Sequence, residues 1–397
     1  MRRKQSFENS PEWGIPISKH HNHNAPTMTD TEQNTESRLS GFTKVLLPLL
    51  GILLFLIIAW VVFSALLGPL RGGGGNLSKW YHPGPALKIK SPHFSADGSK
   101  FAFTACGPCK IGIYTIDTES VVYLSPPNNS VAFDATFNTQ SDNIAFILAK
   151  QVGEEAHDYQ LAISQIDGSG LKVLTSSDTQ KRFTSYSFDG KKVLFEGKKR
   201  CRGTPAKYCG ADIYEYDFQS NKERRISHLE ALQIGHARFL PGNNKIVTSM
   251  FGSIYPDGVT GVPVEVKHGK EREVFIVDAS NATHYEQLAL DTPTASSPKP
   301  LPSGEIAFVS RVNEYENVKG SYIYDVFLWS NGASRRLTES KRYISTYAIS
   351  DSAKSVLLVT EAKADASKCE LVLWNVNERS GRNLKCDGSG SERPLVP

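Results

Sequence analysis

The chain has 397 residues, a formal net charge of +4, 22% charged residues and 10% aromatic residues. This is ordinary globular composition with material for a large core, and it excludes a collagen-like or low-complexity chain. The small net charge, with no segregated basic stripe, gives no electrostatic footprint for nucleic acid, and no nucleic-acid partner is expected.

Residues 1–44 are polar and aperiodic, the composition of a disordered tail. Within it, "KHHNHN" (19–24) reads as solvated tail rather than as a metal site. The next segment, "VLLPLLGILLFLIIAWVVFSALLGPL" (Val45–Leu70), carries no charge. A spanning helix needs about 20 apolar residues, whereas the apolar region of a cleaved secretory signal is only about 7–15 residues long. Residues 45–70 therefore predict an uncleaved signal-anchor helix and a membrane contact. Six Lys or Arg residues lie before the span (Arg2, Arg3, Lys4, Lys19, Arg38, Lys44) and four in the twenty residues after it (Arg71, Lys79, Lys88, Lys90). That bias orients the N-terminus to the cytoplasm and the chain beyond the span to the periplasm, or to the extracellular or lumenal side in a eukaryote. Residues 71–89, beginning "RGGGGN", read as a linker.

From about residue 90 the pattern is strand, turn, strand. An apolar triplet recurs six times: Phe101-Ala102-Phe103, Ile144-Ala145-Phe146, Val193-Leu194-Phe195, Ile246-Val247-Thr248, Ile306-Ala307-Phe308 and Val356-Leu357-Leu358. Seven residues earlier stand Phe94, Phe137, Tyr186, Phe239 and Ile349, while the fifth copy is one residue short. Between them lie polar turns such as "SADGSK" and "SFDGKK", rich in residues that accept tight-turn dihedrals. A further strand follows each triplet ("GIYTID", "YQLAISQID", "DIYEYD", "EVFIVD", "DVFLWS", "ELVLWN"), and a short last one closes each unit. Four strands per repeat at this period is the signature of a propeller blade. The expectation is an all-β six-bladed propeller over residues 90–386, monomeric, with residues 387–397 as a C-terminal tail.

All six cysteines follow the span and fall into three local pairs: Cys106 with Cys109, Cys201 with Cys209, and Cys369 with Cys386. Local pairing after a membrane anchor reads as structural disulfides in an oxidising compartment. "CGPC" also has redox and zinc-site spacing, but it lacks a following helix or a second close pair. Three N-x-[ST] triplets, at Asn76, Asn128 and Asn281, bear on the chain only in a eukaryotic secretory host.

The runs "FSADGSKFAF…IYTID…YLS" and "YSFDGKKVLFEG…ADIYEYD…RRIS" resemble the repeats of TolB-type six-bladed propellers, over roughly residues 90–386. The resemblance implies the fold and a protein-binding role. TolB proteins are soluble and periplasmic, carry an α/β domain ahead of the propeller, and bind a peptidoglycan-associated lipoprotein and colicins. This chain differs, being tethered and having only residues 71–89 between the span and the first blade. An N-terminal α/β domain is therefore expected to be lacking. Similar blades gate prolyl oligopeptidase-like peptidases, but no G-x-S-x-G nucleophile elbow occurs here.

No H-E-x-x-H motif, Walker loop, Rossmann fingerprint or EF-hand loop occurs, and no catalytic residue, metal or cofactor is expected. Connections between second and third strands are long (149–158, 196–211, 250–272, 311–322) and should emerge on one rim. Lys199, Arg200, Arg202, Tyr208, Phe251, Tyr255, Tyr315 and Tyr322 on that rim are candidate contacts for a protein or cell-envelope component, Tyr and Arg being enriched at interface hot spots. The inner strands offer His93, Asp134, His236 and Arg238 as channel-lining candidates, with Thr136, Ser185 and Ala348 near the same level. The expectation is a non-enzymatic binding propeller. The alternative is a lactonase- or cyclase-like propeller that uses two histidines and a carboxylate on a metal or small ligand in the channel.

Overall fold

A computed structural model describes residues 88–397, apart from 107–108, 154, 201–207, 232, 252, 255–263, 266–272, 281–283, 293, 313–322, 342, 362–368 and 386–389. The tail and the apolar run 45–70 lie outside the described residues. Among the described residues no helix is long and apolar enough to cross a membrane.

The six repeats form six antiparallel sheets in chain order, each with four strands from contiguous sequence. The innermost strands are Lys88–Phe94, Ser130–Phe137, Gln180–Tyr186, Gln233–Phe239, Ser296–Pro300 and Tyr343–Ile349. Each apolar triplet lies in its blade's second strand, and Phe94 pairs with Phe101 as Phe137 does with Ile144 and Tyr186 with Val193. A sheet buried on both faces needs neighbours on both sides, and six apolar clusters supply them. One cluster joins blade 6 to blade 1 through Phe94, Phe101, Phe103, Leu357, Val359 and Leu371, so the ring is closed by core packing. Phe101 lies flat on Tyr114 within it, ring centroids 4.7 Å apart.

The repeated hairpin owes its sequence to its turn. Ser95 Oγ donates to Asp97 and accepts from the Lys100 amide, and Gly98 takes φ +72°. Ser187, Asp189, Lys192 and Gly190 repeat the arrangement in blade 3. These bonds favour the ionised carboxylate: they hold Asp97 down at about 2 and lower Asp189, chiefly through Ser187. Their contribution to stability is therefore complete above the ordinary Asp value of 3.8 and is lost as the pH falls through 3.8 towards 2, where the unfolded chain binds the extra protons. Asp97→Asn is expected to make the slope of unfolding free energy against pH shallower between about pH 4 and 2. Denaturant titrations across that range would check it; an unchanged slope would show that the turn carboxylate is not linked to folding.

The C-terminus is not a tail. Ser391–Pro394 adds a fifth strand to blade 1, parallel to Ser120–Ser125, with Ser391 opposite Val122 and Pro394 opposite Ser125. Glu392 is held by Lys110 and by Ser125 Oγ at 3.2 Å. Leu395, 3% exposed, enters the core between blades 1 and 2 beside Phe137 and Phe146. The Val396 amide then donates to Gly168 O at 2.9 Å. Gly168 takes φ +92°, and a Cβ there would stand 2.6 Å from Pro394 O. Gly168→Ala is accordingly expected to cost about 1–3 kcal/mol. A thermal melt of this variant beside Gly153→Ala, which also has positive φ but open space around it, separates backbone strain from the clash.

Two of the expected long connections are largely strand. In blade 2 the ladder continues to Val152 opposite Glu155, so 149–158 is a projecting hairpin turned at Gly153, whose φ is +62°. In blade 3, Lys192–Arg200 and Tyr208–Asp217 remain paired out to Arg200 and Tyr208. In blade 4, residues 253–254 and 264–265 form a separate two-stranded ladder. Reading these stretches as loops followed their polarity and glycines, but two strands already paired continue as a ladder while residues along it, such as Ala149, Glu196 and Ala211, stay buried.

Candidate functional site

The channel is shaped by a repeated irregularity. Five innermost strands break register with their neighbour at the same step, Lys90/His93, Phe133/Thr136, Arg182/Ser185, Gly235/Arg238 and Ser296/Lys299, and the sixth breaks two residues earlier, at Ile344/Thr346. In five of them the residue at the break has positive φ: Ser91 (49°), Asp134 (56°), Phe183 (50°), His236 (60°) and Ser297 (54°). Left-handed backbone is uncommon for non-glycine residues, and a bulge re-aims the side chains beside it. Here five adjacent bulges bring Ser91, Asp134, Phe183, His236 and Ser297 into one lining with His93, Arg238, Lys299 and Thr346.

The freed backbone groups are capped from neighbouring blades, as buried carbonyls require. Thr184 Oγ1 donates to Asp134 O, and Tyr347 Oη donates to Ser297 O at 2.8 Å. Lys299 Nζ reaches Pro92 O on blade 1 at 3.0 Å and Tyr347 O on blade 6. Asp134 ties three blades together: its carboxylate accepts from Ser91 Oγ at 2.6 Å and from the Phe183 amide at 3.0 Å, while its own amide donates to Thr104 at 2.8 Å.

The four channel candidates from sequence, His93, Asp134, His236 and Arg238, thus line one cavity, but not as a ligand set. Both Asp134 oxygens are occupied by protein donors, and the His236 ring packs on Phe183 at 4.4 Å. His93 Nδ1 is 2.9 Å from Phe94 O, a geometry in which the nitrogen donates. Among the described residues no group of three or more His, Cys, Asp or Glu side chains is placed to hold a metal ion.

The electrostatics are cationic. Arg238 is lowered to about 10, mainly by burial, and so keeps its charge at neutral pH. Burial first, then the Arg238 charge, pushes Lys299 well below the usual lysine value. Burial, Arg238 and Lys299 together push His93 well below the usual histidine value. Lys299 occupies the same step as His93 and Arg238, since Lys299 faces Ala307 as His93 faces Ala102 and Arg238 faces Val247. Sequence reading passed over it because the fifth repeat is one residue short. Counting back from the triplet by six instead of seven reaches Pro300, with Lys299 before it. Thr136, Ser185 and Ala348 do occupy this step in blades 2, 3 and 6.

Of the rim candidates, Lys199, Arg200 and Tyr208 lie on paired strands rather than in loops, and Phe251 ends a strand half-buried. Arg202, Tyr255, Tyr315 and Tyr322 lie outside the described residues. Cys106 and Cys109 form a disulfide between the second and third strands of blade 1. Cys201 and Cys386 lie outside the described residues, and Cys209 and Cys369 are placed by backbone only.

Beneath the rim, two blades share a buried clip. Asp212 accepts from Arg225 Nε at 3.0 Å, from Ser227 Oγ at 2.8 Å and from the Leu229 amide at 2.7 Å. Asp325 accepts in the same way from Arg336 Nε at 3.0 Å, Thr338 Oγ1 at 2.9 Å and the Ser340 amide at 2.9 Å. Blade 2 builds a neutral version from Gln160 and Thr175. The clips join the start of the third strand to the exit of the fourth, where the chain crosses to the next blade. Their signal in the sequence is "DIY…RRIS" and "DVF…RRLT".

No family model matches the chain, and no curated protein sequence does. Among solved structures it is similar to TolB from Acinetobacter baumannii, at 16% identity and a TM-score of 0.51, covering 85% of this chain and 70% of that one. It is also similar to an oligogalacturonate lyase in complex with manganese, at 14% identity and a TM-score of 0.50, covering 77% and 78%. An oligogalacturonate lyase from Vibrio parahaemolyticus, at 12% identity and a TM-score of 0.50, covers 78% and 81%. At these identities the likeness is one of fold: a TolB-like six-bladed β-propeller, shared by enzymes and by TolB alike.

Proposed function

We propose that this chain is a non-enzymatic, membrane-anchored propeller that binds a protein or cell-envelope partner outside the cytoplasm through one rim. The observation that carries the reading is the asymmetry of the two rims. On one, the first-to-second-strand connections are short turns knitted by their own Ser and Asp side chains. At the other end the ladders of blades 2 and 3 run on, to Val152 opposite Glu155 and to Arg200 opposite Tyr208, and the third strands of blades 3 and 5 carry the Asp212 and Asp325 clips. Variable connections on a rigid scaffold are where binding residues concentrate.

The channel supports the same choice. Among the described residues, the pocket lined by Asp134, His236 and Arg238 has about 20 Å³, room for about one water. The uncharged run Val45–Leu70 supports the tether, the excess of Lys and Arg before it supports a cytoplasmic N-terminus, and the TolB-like repeats support a protein-binding role. A crosslinking pull-down from native membranes with the tagged full chain, beside one lacking residues 71–397, tests the proposal. A partner captured only with the propeller is expected. Recovery of the same proteins by both chains would overturn it.

A further inference from the structure

The central cavity has a composition that ring closure does not require. Two side chains with cationic heads, Arg238 and Lys299, line it with His93, and the carboxylate in its lining, Asp134, is spent on bonds to Ser91 and Phe183. Lys299 gives two of its three donors to carbonyls. The Arg238 Nε is fully buried and meets no acceptor among the described residues. A guanidinium offers five donors in a planar fork. A buried guanidinium nitrogen without an acceptor, beside the Lys299 amine, is costly to the fold.

We propose that this cavity receives a carboxylate head group, gripped by the Arg238 fork and flanked by the Lys299 ammonium. A carboxylate is flat, presents two oxygens to a guanidinium and replaces about one water, so it fits a space of about 20 Å³. A sugar ring does not fit there. Burial first, then the Arg238 charge, disfavours the protonated forms of Lys299 and His93, and a negative group between them would offset the share due to Arg238. The carboxylate is either a free small acid or the terminal carboxylate of a peptide entering the channel. The site is independent of the rim, so its failure would leave partner docking untouched.

The test is isothermal titration and thermal unfolding of the full chain in detergent, at ionic strength fixed with chloride. The probes are sodium acetate, a short Gly/Ser peptide with a free C-terminus, and its C-terminal amide. Saturable binding of acetate or of the free-acid peptide, but not of the amide, is expected. Acetate without peptide identifies a free acid; both identify a site open to chain ends. Arg238→Met and Lys299→Met are each expected to weaken binding at least tenfold. Arg238→Met should leave the unliganded melting temperature equal or higher, because it removes a buried charge, whereas Lys299→Met should lower it, because the Pro92 and Tyr347 carbonyls lose their donor. Were Arg238 only a strut, its removal would lower that temperature too. Exposed Lys150→Met is the control and should bind as the parent does. Absence of saturable acetate or peptide binding by the parent, or undiminished binding by whichever of the two channel variants folds, would overturn the proposal.

Discussion

Asp325→Ala is expected to destabilise the propeller by about 3–5 kcal/mol, the scale for removing one partner of a buried ion pair. Asp325 is fully buried, and its carboxylate accepts from Arg336, Thr338 and the Ser340 amide. Alanine leaves a guanidinium, a hydroxyl and a backbone amide without that acceptor, and each orphaned group carries its own desolvation cost. For a domain of this size the loss corresponds to a fall in melting temperature of about 5–8 °C. Asp325→Asn keeps the shape and one acceptor oxygen and should lose less. The double variant Asp325→Ala/Arg336→Met should recover part of the loss, because the uncompensated charge is then gone. Calorimetry on the three proteins checks the order. Equal losses for Asn and Ala would show that the charge matters there rather than the shape.

Deletion of residues 391–397 is expected to be comparably damaging. It removes a four-residue parallel pairing, the Lys110–Glu392 contact and the Leu395 side chain. Truncating one buried leucine to alanine costs about 2–5 kcal/mol, and here the whole residue leaves. The exposed ion pair adds little by comparison. The damage should be local before it is global. Hydrogen exchange should accelerate first at Ser120–Ser125 and at Leu171, whose amide donates to Val396 O, while the blade 6 to blade 1 core around Phe101 and Leu357 stays protected. Leu395→Ala alone gives the packing share. A deletion variant with parental stability would show that the fifth strand is dispensable.

The blades were legible because each is written in a local code. The triplet, the Ser-x-Asp-Gly turn and the third strand lie within one repeat, and burial on both faces forces the same residue types six times. What escaped depends on pairing between repeats. "SERPLVP" has no alternation and two prolines, and it becomes a strand only because the main chain of Ser120–Ser125 offers a free edge. Lys299 was hidden by a one-residue shortening of a turn, which displaces every count made by fixed spacing. The channel residues His93, Asp134, His236 and Arg238 could be read as sharing a level. The bulges that aim them could not, since Asp134, Phe183 and His236 are not residues from which positive φ is inferred. The Asp–Arg clips were written in the sequence twice, but their halves lie 11 and 13 residues apart across a hairpin, where charge on a surface strand reads as solubility.

If the rim bearing the long second-to-third-strand connections is the docking surface, partner contacts must fall on it and not on the opposite rim. A photoreactive residue placed in turn at Asp158, Lys199 and Tyr208 on that rim, and at Asp97 and Asp189 on the other, tests this in native membranes with the full chain. Discrete crosslinked products are expected from the first three positions and none above background from the last two. Equal yields from both rims, or products only from Asp97 and Asp189, would contradict docking through the long-connection rim.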